Sequence, residues 1–125
     1  NLSKITEKYG NLSVIEENKE IPFEIKRTYW IYDVPSGQSR GGHVFKENEE
    51  LVIALSGSFD LVFKDGMNET VVQLNRPNQG AYIPAGIWGE LQNFSTNAQV
   101  LVLASTHYNQ EDYVWDFSQL KGGLL

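Results

Sequence analysis

From residue 12 to residue 105 the chain reads as one short β-like run after another. Each run is closed by Gly, Pro, Asn or Asp before a helical period can establish itself. The runs are LSVIE (12–16), IKRTYWIYDV (25–34), GHVFK (42–46), LVIALS (51–56), GSFDLVF (57–63), ETVVQL (69–74), AYI (81–83), WGELQNF (88–94) and AQVLVLAS (98–105). LVIALS is apolar almost throughout, as expected of a strand buried on both faces. GSFDLVF alternates, with Phe59, Leu61 and Phe63 on one side. Asp65-Gly66 marks a two-residue hairpin, because a type I′ turn needs positive φ. Only YNQEDYVWDF departs from the pattern. Asn109 there can cap a helical turn that carries Glu111 and Asp112 early. Short strands at this spacing with almost no helix predict an all-β fold, a small barrel or a double-sheet jelly roll. Periodicity alone leaves an immunoglobulin-like sandwich open.

A chain of 125 residues builds one domain around one core, and 41% hydrophobic residues suffice to fill it. No linker or low-complexity tract divides it, so 1–125 is read as a single domain. Its barrel core runs from about 10 to 117, and a tail at 118–125, ending in LKGGLL, is expected to be mobile. The net charge of −6 argues against non-specific binding to nucleic acid or to an anionic membrane. An anionic small ligand would need cations gathered locally. With no cysteine, disulfides and thiolate metal sites are excluded. No apolar run is long enough to span a bilayer, and the N-terminus lacks the apolar core of a signal peptide. A cytoplasmic location is the expectation.

His43 is one of two histidines, and its surroundings carry a spacing. Gly37, His43, Phe45, Glu50 and Gly57 resemble the first motif of the cupin superfamily, in which a second histidine stands at the place of Phe45. Pro84, Gly86, Gly89 and Asn93 resemble the second motif, in which a histidine stands at the place of Gly89. The resemblance implies a cupin-type double-stranded β-helix, a jelly-roll barrel. In metal cupins the histidines and the glutamate share one ion, since residues i and i+2 of a strand point the same way. Phe45 and Gly89 offer no donor atom. His43 and Glu50 alone fall short of the roughly three protein ligands that a tight site needs, so no metal and no cofactor are expected.

Longer words resemble one cupin branch, the nucleotide-sugar 3,4-ketoisomerases of the WxcM-like, or dTDP-sugar oxoisomerase, family. They are FEIKRTYWIYDVPSG, SRGGHVFKENEELVIALSGSFDLVFKDG, LNRPNQGAYIPAGIWGELQNFS and LVLASTHYNQEDYVWDF. The resemblance implies an isomerase that moves the carbonyl of a dTDP-4-keto-6-deoxyhexose from C4 to C3 without metal, as a homodimer. One departure stands out. The family commonly reads Arg-Gly-x-His-Ala-His-Lys, whereas this chain reads Arg40-Gly41-Gly42-His43-Val44-Phe45-Lys46. If both imidazoles are needed, the chain is a non-catalytic nucleotide-sugar-binding cupin. A related 3,5-epimerase is the third reading.

The chemistry assigns roles to residue types. Moving a carbonyl between neighbouring carbons passes through an enediol, which requires a base near neutrality at C3 and a donor for the developing oxyanion. His43 is the candidate base; its alternative is a rim or core histidine satisfied by the backbone. Tyr29 is the candidate acid or oxyanion donor. It shares one parity with Ile31 and Asp33, and it could equally be one more aromatic filling the barrel. Arg40 suits a diphosphate, which a planar guanidinium holds by two oxygens at once. Tyr82 and Trp88, flanking IPAGI, are either core or flat walls for sugar and thymine. Lys46 and Arg76 are candidate phosphate contacts. Glu50, if buried, needs a partner.

Overall fold

The computed structural model describes residues 1–115. The notional tail at 118–125 and the last residues of the expected barrel lie outside them.

LVIALS becomes the middle of the architecture because it can be buried on both sides. It forms β5 (Glu50–Ser56), which pairs with β10 (Gln99–Ala104) on one edge and β8 (Gly80–Ile83) on the other. With β3 (Arg27–Ile31) outside β10, the four-stranded sheet reads β3-β10-β5-β8. Its partner reads β11-β4-β9-β6-β7, from β4 (Arg40–Phe45), β6 (Phe59–Lys64), β7 (Glu69–Leu74), β9 (Trp88–Gln92) and β11 (Tyr113–Val114). A small hairpin of β1 (Ile5–Glu7) and β2 (Gly10–Leu12) stands apart. All pairings are antiparallel, and the two sheets face one another as a cupin-type jelly roll.

Strand parity divides the core in two. Val52 and Ala54 of β5 point between the sheets, where they meet Phe59, Leu61, Val100 and Val102. Leu51 and Ile53 point the other way, under Ile21, Phe23 and Leu103. That outer cluster explains a miss. LSVIE (12–16) is not a strand beyond Leu12, because the stretch from Ile15 to Ile25 covers the outer face with side chains rather than joining a ladder. The run 25–34 is likewise a strand only over Arg27–Ile31. Ile25 N–H donates to the Glu17 carboxylate, and Asp33 adopts φ 57°, which ends the extended conformation.

The Asp65-Gly66 turn is longer than expected. Lys64 faces Glu69, leaving a four-residue loop in which the Asp65 carboxylate accepts the N–H groups of Met67 and Asn68 at 3.0 and 2.8 Å. The Asx turn replaces the type I′ turn. Those bonds hold the Asp65 carboxyl below its ordinary value. Asn109 caps a 3₁₀ turn (Gln110–Asp112), as its position suggested, by accepting Glu111 N–H at 3.1 Å. Gly57, at φ 69°, lets the chain cross from one sheet to the other. A Cβ there would lie 2.8 Å from Ala98 Cα.

Phe59 is fully buried and packs 5.6 Å from the Phe94 ring. Its truncation to alanine should cost about 3–5 kcal/mol in urea unfolding, the usual loss for a large core aromatic.

Candidate functional site

The inner faces of β3, β4, β5 and β9, with the segment 108–115, enclose a cavity of about 650 Å³. That is ample for a sugar and in the usual range for a ligand pocket of roughly 300–1,000 Å³. His43, Tyr29, Arg40 and Glu50 all line it.

A β-bulge makes this possible. Arg40 faces Leu91 and Gly41 faces Glu90, but the next pair is His43 with Gly89, so Gly42 is an extra residue in β4. Residues three apart on a regular strand point to opposite sides. The insertion shifts the phase, and both Arg40 and His43 look inward, like Leu91 and Gly89 across from them. Gly41 and Gly42 take φ 88° and 75°, which glycine adopts without strain. A Cβ on Gly41 would also crowd Gly89 O at 3.1 Å.

His43 is half-buried in an aromatic collar. Its ring meets Phe45 at 4.7 Å, Tyr113 at 4.9 Å and Trp115 at 5.1 Å, each edge-on. Nδ1 is buried with no hydrogen-bond partner among the described residues. Burial pushes the imidazole below its ordinary 6.5, so it is neutral near pH 7 and free to take a proton. Phe45 sits two residues along the same strand, on the same side, and occupies the collar rather than the ligand position a second histidine would fill.

Tyr29 donates its hydroxyl to Glu50 Oε2 at 2.7 Å. Asn48, itself only 1% exposed, donates its side-chain amide to the same oxygen at 3.2 Å. Glu50 therefore braces Tyr29, and no bond joins it to His43 among the described residues. Burial raises the Glu50 carboxyl, opposed by the Tyr29 and Asn48 bonds and the Arg27 charge. Burial first, and then the Glu50 charge, push the Tyr29 phenol far above its ordinary value, so it remains a donor. Among the described residues no group of three or more His, Cys, Asp or Glu side chains is placed to hold a metal ion.

Four of the expected contacts lie elsewhere. Tyr82 pairs with Leu51, one step out of phase with the inward pair Glu50–Ile83, so it faces outward and bonds Glu49. That bond pushes its phenol up to about 12. Trp88, one residue before the inward Gly89, packs on Val44 and Val114 with Lys64 over its ring at 4.5 Å. Lys46 has the opposite parity to Phe45 and is exposed. Arg76 lines a separate groove on the far side of the four-stranded sheet. His107 is exposed and outside the cavity.

The sequence reading missed Arg27, Tyr108, Tyr113 and Trp115, all of which line the cavity. Arg27 places its guanidinium over the rings of Tyr29 and Tyr108 at 5.5 and 5.8 Å, and its buried Nε has no partner among the described residues. Its parity with Tyr29 was a usable signal. The aromatics were not findable that way, since Tyr113 enters by pairing with Phe45 across a long sequence gap.

Comparison with known proteins agrees with this geometry. The family model described as FdtA, WxcM-like, C-terminal, matches residues 1–122. A TDP-4-oxo-6-deoxy-alpha-D-glucose-3,4-oxoisomerase from Aneurinibacillus thermoaerophilus is 37% identical, over 97% of this chain and 87% of its own length. A 3,4-ketoisomerase from Helicobacter canadensis is 44% identical, covering 95% of this chain and 90% of that one at a TM-score of 0.92. The 3,4-ketoisomerase QdtA from Thermoanaerobacterium thermosaccharolyticum, solved as a mutant in complex with TDP-4-keto-6-deoxyglucose, is 34% identical. That match covers 99% of this chain and 93% of that one at a TM-score of 0.93. By sequence along almost its whole length and by fold, the chain belongs to the FdtA, WxcM-like C-terminal family.

Proposed function

We propose that this chain is a metal-independent 3,4-ketoisomerase acting on a dTDP-4-keto-6-deoxy sugar. The observation that carries the reading is the meeting, in one sugar-sized cavity, of a neutral imidazole, a phenol held protonated, and two guanidiniums. The C4 carbonyl acidifies the C3 hydrogen, which His43 removes. Tyr29 supplies the hydrogen bond to the oxygen that gains charge. His43 then returns a proton at C4, and the carbonyl emerges at C3. Arg40, exposed and lining the cavity, would take the diphosphate by paired hydrogen bonds. The rings of Tyr108 and Trp115 offer flat faces in the same cavity. Phe45 and Gly89 bring no donor atom to the cavity, so the chemistry rests on proton transfer by side chains. A 3-keto product suits later amination in deoxyamino-sugar and glycan biosynthesis.

Incubation with dTDP-4-keto-6-deoxyglucose in deuterium oxide, followed by proton NMR, tests this reading. Growth of a 3-keto sugar is expected. Deuterium at C3 and C5 with the C4 ketone retained would mean a 3,5-epimerase instead. Tight binding with neither change would mean a non-catalytic cupin. The relatives named above are described as 3,4-isomerases, which favours the first outcome.

We also infer a cytoplasmic homodimer. Among the described residues no helix is long and apolar enough to cross a membrane. On the outer face of the four-stranded sheet Trp30, Tyr32 and Leu55 are 64%, 59% and 43% exposed, an apolar cluster that a second copy would cover. Light scattering should report twice the 14.2 kDa chain mass. A Trp30→Glu variant should shift the protein toward monomer.

A further inference from the structure

An isomerisation of this kind moves two protons. The C3–H bond breaks and a C4–H bond forms; the O3–H bond breaks and an O4–H bond forms. The C4=O π bond is exchanged for C3=O, and no oxidant or reductant is needed. His43 accounts for the carbon-bound proton. The oxygen-bound proton also needs a carrier, since an enediolate left charged in a partly dry cavity is costly.

The cavity wall holds a pair suited to that task. Tyr29 lines the cavity, and its hydroxyl lies 2.7 Å from Glu50 Oε2. A hydroxyl can donate on one side while accepting on the other, so it can pass a proton between a substrate oxygen and a carboxyl behind it. Glu50 is only 5% exposed, and it is fixed from the rear by Asn48. Asn48 in turn accepts from Thr106 N–H and Thr106 Oγ1, both at 3.1 Å. Asp112 accepts Asn48 N–H at 3.1 Å and Glu47 N–H at 2.8 Å. Those bonds hold Glu50 in the cavity wall with its Oε2 turned to Tyr29.

We propose that Tyr29 and Glu50 form a relay that carries the sugar's hydroxyl proton from O3 to O4, with Glu50 as its reservoir. Tyr29 is the catalytic residue of the pair and Glu50 the positioning residue behind it. Glu50 begins ionised, accepting the Tyr29 hydrogen. His43 removes the C3 proton and returns it at C4; as the carbonyl forms at C3, O3–H passes its proton to Tyr29 while Tyr29 passes one to Glu50. Glu50 then gives that proton back through Tyr29 to O4. Both groups end as they began. Burial, which favours the protonated carboxyl, suits Glu50 to this cycle. The proposal rests on the ketoisomerase reading above.

The test uses the full chain with dTDP-4-keto-6-deoxyglucose, comparing wild type with Glu50→Gln, Glu50→Asp, Tyr29→Phe and the Tyr29→Phe/Glu50→Gln double variant. Glu50→Gln keeps the shape and loses the exchangeable acid. It should lower kcat about 100-fold or more with KM within about threefold, and its melting temperature should not fall. Glu50→Asp should recover about tenfold over Glu50→Gln. The double variant should be no slower than the slower single variant, because both changes cut one relay. Wild-type kcat in Glu50→Gln, or losses that multiply in the double variant, would overturn the relay while leaving the isomerase reading intact. If Glu50→Gln does not fold, Tyr29→Phe decides alone, and wild-type kcat there overturns the relay. A wild-type protein that forms no 3-keto product overturns both.

Discussion

A His43→Ala variant is expected to lose about 10²–10⁴-fold in kcat, the range over which a positioned general base contributes. The ring is the only imidazole lining the cavity among the described residues. The competing groups there cannot substitute for it. Tyr29 is held protonated, the Glu50 Oε2 is engaged by Tyr29 and Asn48, and a guanidinium such as that of Arg27 or Arg40 carries no free lone pair. The fold should survive. Truncation removes three edge-on aromatic contacts at a half-buried position, costing about 1–2 kcal/mol, which thermal unfolding can verify. The wild-type pH profile tests the same assignment. Protonation disarms the base, and burial moves that event to lower pH than usual. kcat/KM should therefore be flat on the neutral side of 6.5 and fall only below it. Unchanged kcat in His43→Ala, or an acid limb centred above 6.5, would remove His43 from the role.

A Gly42→Val substitution is expected to disturb the site without touching any functional side chain. The bulge needs residue 42 at φ 75°, which a β-branched side chain disfavours. Without the bulge β4 would pair with β9 in regular alternation, and Arg40 and His43, three residues apart, would point to opposite sides. The C-terminal half of the strand will hold its place. Val44 is fully buried, Phe45 is 5% exposed, and β11 pairs with both. The exposed N-terminal half carries Arg40 and will give way, turning Arg40 out of the cavity. KM should rise about 30–1,000-fold, the cost of losing a charged hydrogen-bond partner of roughly 2–4 kcal/mol, while kcat changes much less. Arg40→Ala should reproduce the loss. Adding Arg40→Ala to Gly42→Val should make it no worse. A Gly42→Val variant with wild-type KM would show that the bulge does not aim Arg40.

The fold class was readable because strand-forming runs and their turns are local signals. LVIALS announced a doubly buried strand, and ETVVQL coincides with β7 to the residue. The first run failed for a reason that local chemistry does not hold. LSVIE has strand-like residues, but the tertiary structure spends them on covering the outer face of a sheet already filled by β3, β10, β5 and β8. The site divides the same way. Tyr29 and His43 could be nominated from residue type and motif, and they meet in the cavity. Tyr82, Trp88, Lys46 and Arg76 were nominated by type too. Each stands on the wrong parity or in a loop on the wrong side.

By itself, the sequence determined that the chain is an antiparallel β domain, that it lacks the donors for a metal-bound cupin, and that His43 is its candidate base. Alternation, turn residues and side-chain chemistry act over a few residues and need no partner strand to be read. Only the tertiary structure decided that Glu50 serves Tyr29 rather than His43, that Gly42 rotates Arg40 inward, and that Tyr113 and Trp115 wall the imidazole. Those outcomes depend on register between strands far apart in the chain. A shift of one residue there sends every side chain to the opposite face.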